Sequence, residues 1–397
     1  MARGTVESSR ARRARLAVAA MFLTNGAIFA NLVPRFPELK TDLALSNTAY
    51  GVAVAAFPAG ALVAGLAAGS VVRRLTSART TLVCTLGIAA LVFVAGSAPT
   101  PLLLAAALFV GGAFDSVTDV AQNAHGLRVQ RVYGRSIINS LHAIWSAGAV
   151  LGGAMGAAAI ALQVPRSVHL GVSAVVFGAV AVAAYPFLLK GPDNDDHPDT
   201  SSSTSGWPGW RIYAALLALV VIATAGAVVE DAGSSWATLY LRDGLGAVGA
   251  LAASGYVALL GAQFIGRIVG DRLVDRFGER AVARVGGLVA AAGMGLALAY
   301  PSVPGTIAGF AVAGLGMATT VPAAMHAADR LPGLRPGTGL TAVAWLMRVG
   351  FVAAPPVVGL IADATSLRVG LLLVPAAGLA VIATAGALSA RRPPTRS

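Results

Sequence analysis

Twelve stretches of mostly apolar residues run along the chain, separated by short polar breaks. They cover 14–34, 48–72, 79–98, 101–123, 137–161, 167–189, 211–232, 249–271, 282–300, 304–327, 337–361 and 367–389. A helix crossing a bilayer needs about 20 such residues. Barrel strands would instead alternate over about 10 residues, so the pattern predicts helices. Arg10, Arg12, Arg13 and Arg15 lead into the first stretch. It lacks a small-residue cleavage site and is long enough to span, so it reads as a membrane helix rather than a cleaved signal.

The polar breaks carry the orientation. With an even number of spans and both termini in the cytoplasm, Arg35, Lys40, Arg166, Arg242 and Arg368 fall outside. Arg267 and Arg348 fall within spans, and the remaining 22 of the 29 basic residues fall on the cytoplasmic side. That is the bias of the positive-inside rule. One break is long. Residues 190–210 open on Lys190-Gly191-Pro192, continue through Asp193, Asp195, Asp196 and Asp199, and end in a Ser/Thr stretch, the composition of a flexible linker. The chain divides into a bundle over 1–189, a linker over 190–210 and a bundle over 211–397.

Composition agrees with the pattern. Hydrophobic residues make up 56% of the chain and charged ones 12%, against about 45–50% and 25% in soluble domains. That excludes a soluble enzyme and a disordered chain. The single Cys84 excludes a disulfide scaffold. The net charge of +12 is spread thinly between apolar runs, so it is topological and not a nucleic-acid footprint. Arginine outnumbers lysine 27 to 2, which with abundant Ala, Gly and Val suggests a GC-rich bacterium.

The halves superpose in sequence with a shift of 202: Arg74 on Arg276, Gly148 on Gly350, Arg166 on Arg368 and Lys190 on Arg392. Internal repeats of this kind mark secondary transporters. Twelve spans, a 6+6 repeat and the loop Asp275-Arg276-Phe277-Gly278-Glu279-Arg280 after span 8 resemble the major facilitator superfamily. The first-half loop, Gly69 to Arg73-Arg74-Leu75, departs from that pattern, with Arg73 where an aspartate is usual. Finer features are similar to a bacterial inner-membrane branch called YbjJ-like. They include Arg35-Phe36-Pro37, Asp119-Val120 with Asn123-Ala124-His125, Leu141-His142-Ala143, Tyr240-Leu241-Arg242-Asp243 and Gly266-Arg267. In the same resemblance Ser235 stands where an aspartate is expected before Trp236. The resemblance implies an all-α membrane protein of two six-helix bundles in the cytoplasmic membrane. It also implies alternating access, a small-molecule substrate and a monomer.

An ionisable group inside a membrane is a functional hypothesis by default. Asp115 and Asp119 lie on span 4, Glu230 and Asp231 on span 7, Arg267 on span 8 and Arg348 on span 11. In the superfamily spans 1, 4, 7 and 10 line the central cavity. Asp115, Asp119 and Asn123 follow i, i+4, i+8 and form one stripe. Asp119, Asp115 and Glu230 are the candidates for carrying protons, and Asp231 points about 100° away from Glu230, toward water. An ion pair that locks helices is the competing reading of each. Arg348 requires a partner, either a substrate anion or an acid of span 4 or 7. Arg267 and Asp271, at i, i+4, suit a local salt bridge at an inside gate. Asn25, Asn31, Asn123, Trp145, Trp236 and Thr320 are candidate substrate contacts. Arg73, Arg74, Asp275 and Arg276 complete the candidate gate. His125, His142, His169 and His326 read as interface residues or proton relays.

Two other classes compete. Asp115 with Asp119 and Asp271 with Asp275 are carboxylate pairs one turn apart, able to hold Mg²⁺ on a diphosphate in a membrane enzyme. The second pair sits in the signature loop beside Arg272 and Arg276, which argues against it. A sensor with a transporter fold is the other. No His/Cys cluster, P-loop or Ser/His/Asp arrangement appears in the sequence, so neither cofactor nor metal is expected, and the chain reads as a transporter rather than an enzyme. Span 5 carries Gly148, Gly152, Gly153 and Gly156 but no Gly-Pro end, a partial match to drug antiporters. Proton-coupled movement of a small organic solute follows, with export ahead of sugar or polyol import.

Overall fold

The computed structural model describes residues 2–135, 137–191, 210–332, 334 and 338–389. Among them twelve helices are long and apolar enough to cross a membrane, and there is no strand. Spans 1 to 6 are Arg10–Asp42, Asn47–Leu75, Ser77–Gly96, Pro101–Tyr133, Ser140–Ala161 and Arg166–Phe187. Spans 7 to 12 are Trp210–Gly244, Ala250–Gly270, Glu279–Ala299, Val303–Asp329, Thr338–Ala364 and Leu367–Ala387. The all-helical, twelve-span architecture is the one the hydrophobic pattern predicts.

Spans 4 and 7 run past their apolar cores, to Tyr133 and Gly244. Hydropathy ends a span at its first charges, but a helix continues as long as its backbone bonds do. Span 7 continues through two π-helical turns, Ala232–Trp236 and Tyr240–Gly244. Gly233, Ser234 and Ser235 supply the first of these, and each is a weak helix former.

By contacts the chain forms two compact units. One is Met1–Leu45 with Val52–Asp196, and the other is Ser46–Gly51 with His197–Ser397. In the first, Met21, Phe22, Val129, Leu141 and Leu188 belong to one buried cluster. Spans 1 and 5 approach closely there. A Cβ added at Gly26 would fall on the Trp145 carbonyl oxygen, one at Gly148 on that of Leu23, and one at Gly152 on that of Ala27. The glycines of span 5 are thus a packing stripe of the small-xxx-small kind.

The sequence repeat of 202 reappears as repeated bonds within each unit. Thr100 caps span 4 by accepting from the Leu103 amide, and Ser302 caps span 10 by accepting from the Gly305 amide. Arg166 Nε donates to the Gly96 carbonyl at 2.6 Å, and Arg368 Nε to that of Leu298 at 2.6 Å. His125 Nδ1 lies 2.9 Å from Ser77 Oγ, while its Nε2 accepts from the Leu189 amide. In the second unit His326 Nδ1 lies 2.7 Å from Glu279 Oε1.

Turns repeat as well. Gly278 joins spans 8 and 9 with φ +84°, and Thr76 joins spans 2 and 3 with φ 72°. A β-branched residue in that region is strained, whereas glycine is not. Thr76→Gly is therefore expected to stabilise the fold by about 1 kcal/mol of relieved strain, read as a higher melting temperature. Gly278→Thr should lower it. Thermal unfolding of both variants in detergent checks the pair of signs.

Candidate functional site

The first unit holds a hydrogen-bonded line across spans 4 and 5. Asn123 Nδ2 donates to Asp119 Oδ1 at 2.9 Å and to the Asp119 carbonyl at 2.9 Å. Its Oδ1 lies 3.0 Å from His142 Nε2. With the amide turned this way His142 must donate, so Nε2 carries its hydrogen. Asp115, Asp119 and Asn123 are half-buried, and His142 is exposed. An exposed imidazole is thus joined, through an amide, to an intramembrane carboxylate. The sequence put Asp115, Asp119 and Asn123 on one stripe, and the structure adds His142 to it. Span 5 presents that imidazole two residues from its start, and Ser146 Oγ donates to the His142 carbonyl at 3.1 Å.

The second unit holds Glu230, Gln263 and Arg267. Glu230 Oε2 accepts from Gln263 Nε2 at 2.8 Å and faces Arg267 Nη2 at 3.5 Å. Gln263 and Arg267 are i, i+4 on span 8, so one face presents both donors. The partner described for Arg267 is Glu230 on span 7, and the expected local pair with Asp271 is not among the described contacts. The side chain of Asp271 lies outside the described residues. The guanidinium that meets a span 7 acid is Arg267 and not Arg348. Arg348 is half-buried and makes no hydrogen bond or ion pair among the described residues. Of its two expected partners, a substrate anion or an acid of span 4 or 7, no acid of span 7 meets it among the described residues.

Asp231, read from its angle as facing water, is only 5% exposed. Its Oδ1 accepts from Ser235 Oγ at 2.9 Å. The phenol of Tyr50 closes over this turn by donating to the Ser235 carbonyl at 2.5 Å, and its ring meets Trp236 edge-on. No periodicity in span 7 announces Tyr50, which comes from the start of span 2. That start is held in the second unit by Asp363, whose carboxylate accepts from the amides of Asn47 and Thr48 at 2.9 and 2.8 Å.

The other candidates fall in varied places. Asn25 is buried and its Oδ1 has no partner among the described residues. Asn31 is fully buried, donating to the Ala27 carbonyl and bonded to His169 at 2.9 Å, so its amide is used inside the protein. Trp145 is half-buried against the core of the first unit. Thr320 is fully buried and its hydroxyl turns back to the Met317 carbonyl at 2.7 Å. Trp236 is fully buried, with no partner for its indole N–H among the described residues. Arg73 bonds Ser70 at 3.1 Å, and Arg276 lies over the Phe277 ring at 5.4 Å. Arg74 and Asp275 are exposed.

Comparison with known proteins follows the same outline. The family model described as Major Facilitator Superfamily matches residues 18–273 and 237–397. An uncharacterized transporter, y4wD, of Sinorhizobium fredii is 32% identical over 88% of this chain and 92% of its own length. The membrane protein MosC of Rhizobium meliloti is 30% identical over 92% of this chain and 88% of its own. Among solved structures, the nucleoside transporter NupG superposes with a TM-score of 0.71 at 14% identity, covering 94% of this chain and 98% of that one. A bacterial homologue of the human lysosomal transporter Spinster gives 0.71 at 13% identity, over 97% and 99%. At such identity these two speak for the fold.

Proposed function

Since the chain belongs to the major facilitator superfamily, a family of solute transporters and not of enzymes, we propose that it exchanges a small organic solute for protons. Alternating access in the cytoplasmic membrane is the means, with both termini in the cytoplasm and export the direction. The reading treats the chain as a monomer of two six-helix bundles, 1–189 and 211–397, joined by the linker.

One observation carries the proton reading: the line from exposed His142 through Asn123 to Asp119. A carboxylate inside a low-dielectric bundle is stabilised by binding either a proton or a cation. The line connects one such carboxylate to an imidazole, a side chain able to take up and pass on a proton. Exchange, rather than co-transport, is supported by Glu230. Its Oε2 is held by a neutral amide and by a guanidinium at 3.5 Å, a separation loose enough for a proton or a cationic solute group to compete. Occupants that compete for one carboxylate cross in opposite directions. The preferred solute therefore carries a cationic or strongly hydrogen-bond-donating group.

The test is a pH-sensitive dye sealed inside proteoliposomes. Sugars, polyols, organic anions and amphipathic cations are added outside. Interior alkalinisation with a cation is the expected result, and Asp119→Asn is expected to remove it. Interior acidification with a sugar or polyol would assign import by symport instead. A silent dye beside measurable binding would refute proton coupling.

A further inference from the structure

Asp231 stands apart from the acids discussed so far. Glu230 has two donors, and Asp119 has the amide of Asn123. Asp231 is 5% exposed, its Oδ1 accepts one hydroxyl, and its Oδ2 has no partner among the described residues. A buried polar atom in that state requires an explanation, because such groups are nearly always satisfied. It also has company. Trp236 Nε1, Thr238 Oγ1 and the phenol oxygen of Tyr240 on the same stretch of span 7 are buried and have no partner among the described residues. That stretch contains both π-helical turns, and π-turns concentrate at functional sites.

We propose that Asp231 is the proton-binding acid of the second unit, taking up and releasing its proton at Oδ2. The proposal rests on the proton-coupled reading above and adds a residue to it. A carboxylate with one bare oxygen, away from water and from any bonded cation, is the least favourable state for this group. Adding a proton to Oδ2 removes the charge. It leaves Oδ1 as the carbonyl oxygen, which suits the hydroxyl that Ser235 already donates. The reverse step returns the proton to water and leaves the anion. No other reactant is involved.

The charged and titratable groups around it are consistent with one exchangeable proton. Glu230 immediately precedes it on the same helix, and its negative charge opposes a second one at Asp231. Tyr50 faces it from the start of span 2, with its hydroxyl already given to the Ser235 carbonyl. Tyr256 on span 8 faces Glu230. Arg267 is directed to Glu230 and Arg242 to Asp243. On span 11, Asp363 is bonded to the Asn47 and Thr48 amides and Arg348 makes no ion pair.

Infrared spectroscopy of the protein in lipid tests this without a substrate. In mild acid, wild type should show a protonated-carboxyl band that shifts in heavy water and fades as the buffer turns alkaline. Asp231→Asn should lose one component of that band at every pH, and Glu230→Gln should keep that component. Ser235→Ala removes only the bond to Oδ1 and should shift the band without abolishing it, which guards against a folding defect in the asparagine variant. Persistence of the whole band in Asp231→Asn, or a wild-type band that ignores pH, would overturn the proposal. The dye assay separates the two readings. A titrating Asp231 band with a silent dye sinks coupling and leaves this assignment standing. A responding dye that Asp231→Asn leaves intact sinks the assignment and leaves coupling.

Discussion

Leucine at Gly148 or Gly152 is expected to abolish the folded protein. At both positions even a Cβ would land on a backbone carbonyl of span 1, at Leu23 and Ala27. A flexible side chain can swing away from an intruding atom, but a helix backbone cannot. The helices must separate instead, and Gly26, whose own Cβ would meet the Trp145 carbonyl, loses its fit in the same movement. Overpacking costs about 1–3 kcal/mol where neighbours can adjust, and more where they cannot. Several kcal/mol approaches the total stability of many domains. Size-exclusion profiles of a fluorescent fusion should show the monodisperse peak lost for both variants. Gly350→Ala is a control, because its Cβ would meet the methyl of Thr224, a side chain. A monodisperse, transport-active Gly148→Leu protein would refute this account of the stripe.

The second large effect is expected at Glu230. Glu230→Gln removes the charge that Arg267 faces, and solute-driven flux should fall roughly 100-fold, the loss typical of a positioned proton-transfer group. Arg267→Gln leaves the carboxylate with Gln263 alone. Its flux should fall too, but the double variant should be no worse than Glu230→Gln by itself. The cycle measures the coupling between the two residues, expected at about 1 kcal/mol because the pair is half-exposed and 3.5 Å apart. Losses that simply add would show that Arg267 acts on something other than Glu230. Counterflow of a labelled solute provides the readout.

The span count was legible because it depends only on run length. Ends were less so, since spans 4 and 7 continue as helix through charged turns that hydropathy discounts. The shift of 202 pointed to Arg166 and Arg368, and both make the same bond to equivalent carbonyls. Bonds between distant segments were out of reach. Asp119 and Asn123 lie on one helix and could be paired by spacing, but His142 is 19 residues beyond Asn123 and joins them through packing. Gln263 is 33 residues from Glu230. Asp231 was placed toward water by its angle, which says nothing of Tyr50, 185 residues away from the Ser235 carbonyl that it covers. The span 5 glycines suggest an antiporter motif, and three of them, Gly148, Gly152 and Gly156, also lie against span 1.

The paired histidines bear on how this chain can be read for ancestry. His125 meets the Ser77 hydroxyl and His326 the Glu279 carboxylate; the partners correspond under the shift, and the histidines stand one residue off it. Thr100 and Ser302, and Thr76 and Gly278, are further pairs in which the residue drifted while the bond or turn survived. A duplicated gene keeps two records of one ancestral segment, and selection has edited them separately. Each half is therefore an aligned relative of the other. A substitution at one position can be judged by what its counterpart already carries: a change the other copy has accepted concerns specialisation, and one that neither copy shows concerns the shared framework.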